Sequence, residues 1–237
     1  MVDKDRLLEV LTGFAHTMAG DYELSDVLYR LTDDVVAVLD IAGAGIAVAD
    51  EEDVLRYATA SDDDVTALER VQEEHQVGPC AEAFRTQEPV LVTDIATRQD
   101  WIAYRKAAGD RGFDAVAGIP LSLASERFGA LNLYDSDVHE WTAEEIAAAR
   151  VLADMAAGYM VHARLRDTRA LAEQLQRALD TRLVIEQAKG VLSAEYDIDV
   201  DRAFELLRRH SRNHNATLRT VAEAVVSEGF RPDRPEA

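Results

Sequence analysis

Three arginines, Arg208, Arg209 and Arg212, lie close together in the stretch A-F-E-L-L-R-R-H-S-R-N-H-N, residues 203–215. Wound at about 100° per residue, they point away from Ala203 and Leu207 and form an outward basic patch. Guanidinium groups stay charged at any working pH and donate in a fixed fork, so such a patch suits phosphate. Lys189 and Arg219 sit near the edges of neighbouring apolar stripes, where they extend the patch. On charge alone, a solvated helix face with local pairs such as Glu205 with Arg209 is the preferred reading. Elsewhere the chemistry is sparse. The single cysteine, Cys80, excludes an internal disulfide framework and a multi-cysteine metal site. It is a candidate redox sensor or attachment point for a linear tetrapyrrole, although a lone cysteine is more often a small buried hydrophobe. His75 and His139 are formal candidates for haem ligation, with exposed polar histidine the ordinary state. Trp101 and Tyr104 either line a pocket or pack as a lid. No Ser/His/Asp, metal-ligand or phosphate-loop constellation appears, so no catalytic residue is assigned.

The elements that position the arginines are three short helical patterns. Ile185, Ala188, Leu192 and Tyr196 recur at helical spacing, then Ala203, Phe204, Leu206 and Leu207, then Leu218, Val221, Ala222 and Val225. A turn at Asp197–Asp199 separates the first two, with Asp199 as N-cap of the second. Residues 213–217 break the second, and Gly229 stops the third. Three such stripes bury one another in a small bundle.

The order R-L-V-I-E-Q-A-K-G-V-L (182–192), A-F-E-L-L-R-R-H-S-R-N-H-N (203–215) and L-R-T-V-A (218–222) resembles an ANTAR domain. That resemblance covers about the last 50 residues. It implies a three-helix RNA-hairpin-binding antitermination module that recognises paired stem-loops, in which Arg208, Arg209 and Arg212 contact phosphates or loop bases. Asn213 would hydrogen-bond a base edge, and Arg182, Lys189 and Arg219 would flank the site. Ser193 and Ser211 depart from the family pattern, where methionine and alanine are common, and both fall on or beside core faces.

The formal net charge of −20 looks wrong for a nucleic-acid binder until it is placed along the chain. Residues 1–180 carry 35 acidic and 16 basic side chains, net −19, whereas residues 181–229 carry 8 and 7, net −1. The acidity belongs to the N-terminal part, which would repel RNA from itself. No stretch is long and apolar enough to span a membrane. The start, M-V-D-K-D-R-L-L-E-V, lacks the apolar run of a secretion signal, and a cytoplasmic protein is expected.

The first 162 residues alternate between helix and strand patterns. Leu7, Leu8, Leu11 and Phe14, then Leu24, Val27, Leu28, Leu31 and Val35, predict two amphipathic helices with a break near Gly20 and Asp21. Residues 45–49 and 54–60 flank Glu51-Glu52-Asp53 as a hairpin, 65–75 predict a helix, and 90–94 a short strand. Residues 115–121 and 128–135 form a second hairpin about a polar turn at 125–127. The sum is an α+β domain with an antiparallel sheet and flanking helices. The segments V-G-P-C-A-E-A-F (77–84), P-V-L-V-T-D-I-A (89–96), A-G-I-P-L-S-L (117–123) and F-G-A-L-N-L-Y (128–134) resemble a GAF domain. Such domains hold small ligands between the sheet and its covering helices. The resemblance leaves the ligand and any cofactor unassigned, with Cys80, Trp101 and Tyr104 as candidate ligand contacts.

Between the two domains, Thr142 and Glu145 make a capping box, and no proline follows before Tyr196. Leu165, Thr168, Ala172, Leu175 and Leu179 fall on a and d positions of a heptad, which predicts a short coiled-coil seam and a parallel homodimer; the competing reading is a single helix packed on its own domain. The chain thus reads as a GAF-like sensor (1–162), a helical coiled-coil linker (163–181), an all-α three-helix RNA-binding domain (182–229) and a C-terminal tail (230–237). The expected function is a signal-responsive RNA-binding transcription antitermination regulator, with a DNA-binding transcriptional regulator as the alternative.

Overall fold

The structure, a computed structural model, describes residues 2–18, 20, 22–166, 168–214 and 216–232, and of residues 163–174 the backbone alone. It divides into two compact units, residues 1–175 and 176–237. In the first, strands β1 (Gly43–Ala49), β2 (Leu55–Ala60), β3 (Val90–Val92), β4 (Ala115–Leu123) and β5 (Glu126–Asp135) form one antiparallel sheet in the order β2-β1-β5-β4-β3. Side chains alternate between its faces. Helices α1 (Lys4–Met18), α2 (Leu24–Leu39) and α6 (Ala143–Arg166) belong to one face, and α3 (Asp63–His75), α4 (Pro79–Thr86) and α5 (Ile102–Arg111) to the other.

Both expected hairpins form, with adjusted ends. The second turns on Ala124 and Ser125 alone, so Glu126 and Arg127, expected in the turn, are strand residues. Leu121 pairs with Gly129 and Ser122 with Arg127, which leaves Phe128 as the extra residue of a bulge. The strand expected over 90–94 stops at Val92, because Asp94 turns its carboxylate onto the Ala96 N–H at 2.9 Å and starts a turn of 3₁₀ helix, Ile95–Thr97. Helix α1 buries Val10 and Phe14, while Leu8, expected on the apolar stripe, is 62% exposed. The capping box at the start of α6 is present: the Thr142 N–H and hydroxyl both donate to the Glu145 carboxylate at 2.8 Å, and the Glu145 N–H donates back at 3.2 Å.

The second unit holds the helical head. Helix α7 (Thr168–Tyr196) enters it, and α8 (Val200–His214) and α9 (Leu218–Ser227) complete a three-helix bundle whose core contains the expected stripes except for Tyr196, which is half-buried. The Asp199 carboxylate accepts the Arg202 N–H at 2.7 Å, as its role as N-cap requires. The two serines that depart from the ANTAR pattern close the two turns in the same way. The Ser193 hydroxyl donates to the Ile198 carbonyl at 2.6 Å, and the Ser211 hydroxyl to the Ala216 carbonyl at 2.7 Å. In each case the later residue's N–H donates back to the serine carbonyl. These serines fasten helix ends and leave no packing fault. Of the expected seam, Leu165, Thr168 and Ala172 lie outside the residues whose side chains are described; Leu175 and Leu179 are half-buried.

Candidate functional site

The interior of the sensor lies between the sheet and helices α3, α4 and α5. Cys80, Trp101 and Tyr104, the three candidate ligand contacts, share one buried cluster there with Phe84, Phe113 and Tyr134. Trp101 meets Tyr104 edge-on at 5.6 Å and carries the Arg98 guanidinium 3.5 Å above its ring. In this structure all three side chains are buried within that cluster.

At the centre of that interior is a group the sequence did not mark. Glu69, on α3, is fully buried, and its Oε1 accepts the Asn132 amide and the Tyr134 hydroxyl, each at 2.7 Å. Gln72, one turn on, donates to Tyr134 at 3.3 Å and accepts the Cys80 N–H at 2.9 Å. Strand β1 approaches this carboxyl at Gly45, where any Cβ would overlap it. Burial pushes the Glu69 carboxyl up to about 7, against the opposing pull of its two hydrogen-bond donors. Glu69 Oε2, Asn132 Oδ1 and the Tyr104 hydroxyl are buried without a hydrogen-bond partner. A neutral, protonated Glu69 is the form this interior favours, since an ionised carboxylate there is costly.

Burial, and then the neighbouring Glu69, also push the Cys80 thiol well up. Its Sγ lies 3.6 Å from the Ala130 carbonyl and the side chain has no exposed surface. The thiolate is the reactive species, so a thiol reagent should label native Cys80 at least about a hundredfold more slowly than the urea-unfolded chain. Equal rates in a stopped-flow labelling experiment would show that the cysteine is reachable after all.

Neither histidine is arranged as a haem ligand. His75 is exposed, while both ring nitrogens of His139 are taken by carboxylates, Asp135 at 2.8 Å and Glu145 at 3.2 Å. Among the described residues no group of histidine, cysteine and carboxylate side chains could hold a metal ion.

On the head, the expected basic patch separates into two sets. Arg209, Arg212 and Asn213 are exposed along α8. Arg208 is not outward: its side chain is 11% exposed and its guanidinium lies 4.0 Å over the Phe204 ring, because residues four apart on a helix are neighbours. Lys189 does not extend the patch either. It is buried, with its Nζ 5.0 Å from the same ring and 3.0 Å from Glu186. These two cations brace the bundle through cation–π contacts. Arg182 and Arg219 are half-buried, and Arg219 pairs with Glu223 at 2.7 Å. Glu205 pairs with Arg208 and Arg212, at 3.4 and 3.8 Å.

A sheet-and-helix domain with a buried polar centre is joined in one chain to a three-helix head. The GAF domain family model matches residues 22–160, and the ANTAR domain model matches residues 173–226. The chain belongs to the GAF domain family and carries an ANTAR domain after its GAF domain. No curated protein sequence matches it. Among solved structures, the GAF domain of a phosphoenolpyruvate-protein phosphotransferase from Coxiella burnetii is similar at 19% identity, over 68% of this chain and 96% of that one, with a TM-score of 0.54. A GAF domain/HD domain protein from Geobacter sulfurreducens is similar at 19% identity, over 62% and 99%, with a TM-score of 0.52. The corresponding Acinetobacter phosphotransferase domain is similar at 14% identity, over 67% and 94%, with a TM-score of 0.52. At these identities the likeness is one of fold. Among the described residues no helix is long and apolar enough to cross a membrane.

Proposed function

We propose that this chain is a cytoplasmic, non-enzymatic transcription antitermination regulator that binds paired RNA hairpins as a homodimer under the control of its sensor domain. The observation that carries the reading is the ANTAR match over residues 173–226, whose second helix presents Arg209, Arg212 and Asn213 to solvent. The two arginines supply attraction to backbone phosphate, and Asn213 can hydrogen-bond a base edge. Arg182 and Arg219 flank this surface, while Arg208 and Lys189 act from behind it by holding Phe204. The acidic sensor keeps non-specific nucleic acid away. We take residues 1–162 as the sensor, 163–181 as a linker that pairs two copies, and 182–229 as the head; a small molecule held in the sensor would act through the linker.

Competition decides between RNA and DNA. Full-length protein is incubated with a pool of RNA stem-loops carrying randomised loops, against an excess of duplex DNA. Enrichment of hairpins that survive the DNA competitor is expected, and native mass spectrometry of the complex should show two chains. Displacement of RNA by duplex DNA would favour a DNA-binding regulator.

A further inference from the structure

The surface of helix α8 that carries Arg209 and Asn213 continues beyond the arginine patch. Leu206, Arg209, His210, Asn213 and His214 follow one another at helical spacing and, with Pro232, line a shallow cleft open to solvent. The His210 and His214 rings are stacked, 3.9 Å between centroids at 16°, and the Phe230 ring stands 4.8 Å from His210 at 59°. His214 is exposed, so one face of this stack is presented to solvent. On the same wall, among the described residues, the Asn213 amide has no hydrogen-bond partner.

The far wall is fixed. The Tyr196 hydroxyl donates to the Pro232 carbonyl at 2.8 Å, and Arg231 bonds the Val225 carbonyl at 3.1 Å and the Glu195 carboxylate at 2.5 Å. The chain after α9 is thereby strapped across α7 and α9, which holds Phe230 and Pro232 in place. A pre-set aromatic step, an amide with both a donor and an acceptor to offer, and a guanidinium at the rim form a combination with a specific chemical match. Aromatic faces stack on bases, amides read base edges, and guanidinium groups hold the adjoining phosphate.

Resting on the RNA-binding reading above, we propose that this cleft is a single-nucleotide subsite. An unstacked loop base lies on the exposed His214 face, its edge is read by Asn213, and its phosphate is held by Arg209. Arg212, one position outside the stripe, serves the backbone only. The cleft is shallow, so the base is stacked on its wall and not enclosed.

The test uses full-length protein and hairpins enriched from the randomised-loop pool, re-synthesised with 2-aminopurine at each loop position in turn. One position should show strong quenching on binding. His214→Ala should lower hairpin affinity by about tenfold, within the range of one base–aromatic stack, and abolish that quench. His214→Phe should retain both, and an abasic site at the same position should cost the wild type as much as His214→Ala while costing that variant nothing further. His214 is exposed, so these variants leave the bundle core untouched; circular dichroism checks this. Unchanged affinity and quenching in His214→Ala, or indifference to the abasic site, overturns the subsite and leaves the RNA-binding reading standing. Failure of the wild type to enrich any hairpin overturns both.

Discussion

The double variant Arg209→Glu/Arg212→Glu should lose hairpin affinity by at least about a hundredfold at physiological salt while its thermal midpoint stays within about 2 °C of the wild type. Both side chains are exposed, so their replacement disturbs neither core nor cap. Each basic side chain that contacts phosphate releases roughly 0.7–0.9 of a counterion, so losing two should flatten the plot of log affinity against log salt by about 1.4–1.8 units. Reversal adds repulsion to the lost attraction. Arg208→Glu is a different experiment. Its guanidinium stacks on Phe204 with only 11% of the side chain exposed, so a carboxylate there meets the face of an aromatic ring in a nearly closed site. That variant should destabilise the bundle by roughly 2 kcal/mol or more, and its loss of binding would report on folding. An unaltered affinity and salt slope in the double variant would remove α8 from the RNA interface.

Glu69→Gln should raise the thermal midpoint of the sensor at pH 8 by roughly 5–10 °C and change it little at pH 5. The sign follows from which state binds the proton more tightly. The carboxyl titrates near 4.3 in the unfolded chain and near 7 in the fold. Its contribution is therefore fully present below about pH 4, and it is lost progressively as pH rises through 7. Between pH 5 and pH 8 that amounts to roughly 2–3 kcal/mol. Glutamine keeps an oxygen for the Asn132 and Tyr134 donors and never ionises, so the variant lacks this loss. The remaining carboxylates of this acidic chain contribute their own pH dependence, which cancels when variant and wild type are compared by calorimetry at each pH. Parallel profiles for the two proteins would mean that Glu69 stays ionised in the fold.

The sheet was largely legible in the sequence because its hairpin strands are short, near-continuous apolar runs, buried on both faces and punctuated by polar turns; the three head helices were legible because each buries one narrow stripe. Helix α4 was not, since eight residues opened by Pro79 are too few to establish a period. Nor was the role of Glu69. A glutamate on a helix otherwise rich in acids reads as a solvated residue, and only the sheet packed against α3 makes it interior. The available signal was Asn132, an amide inside the apolar run A-L-N-L-Y, which demanded a buried polar partner. On the head, helical angles put Arg208 with Arg209 and Arg212, but the ring four residues before it draws it inward. Lys189 was misplaced for the same reason: its partner Phe204 belongs to another helix. His210 and His214 show their spacing in the sequence, yet their stacked rings and the returning chain that faces them belong to tertiary structure.

That returning chain sets where the head ends. The stretch from Phe230 to Pro232, assigned by sequence to a tail, is fastened to Tyr196 and lies past the end of the ANTAR match at Val226. A fragment cut at the boundary of family likeness would keep all three helices and lose one wall of the cleft. Residues beyond the ANTAR match thereby form one wall of the cleft, and on the RNA-binding reading proposed above, changes among them would alter which loop is preferred while the three helices are left as they are.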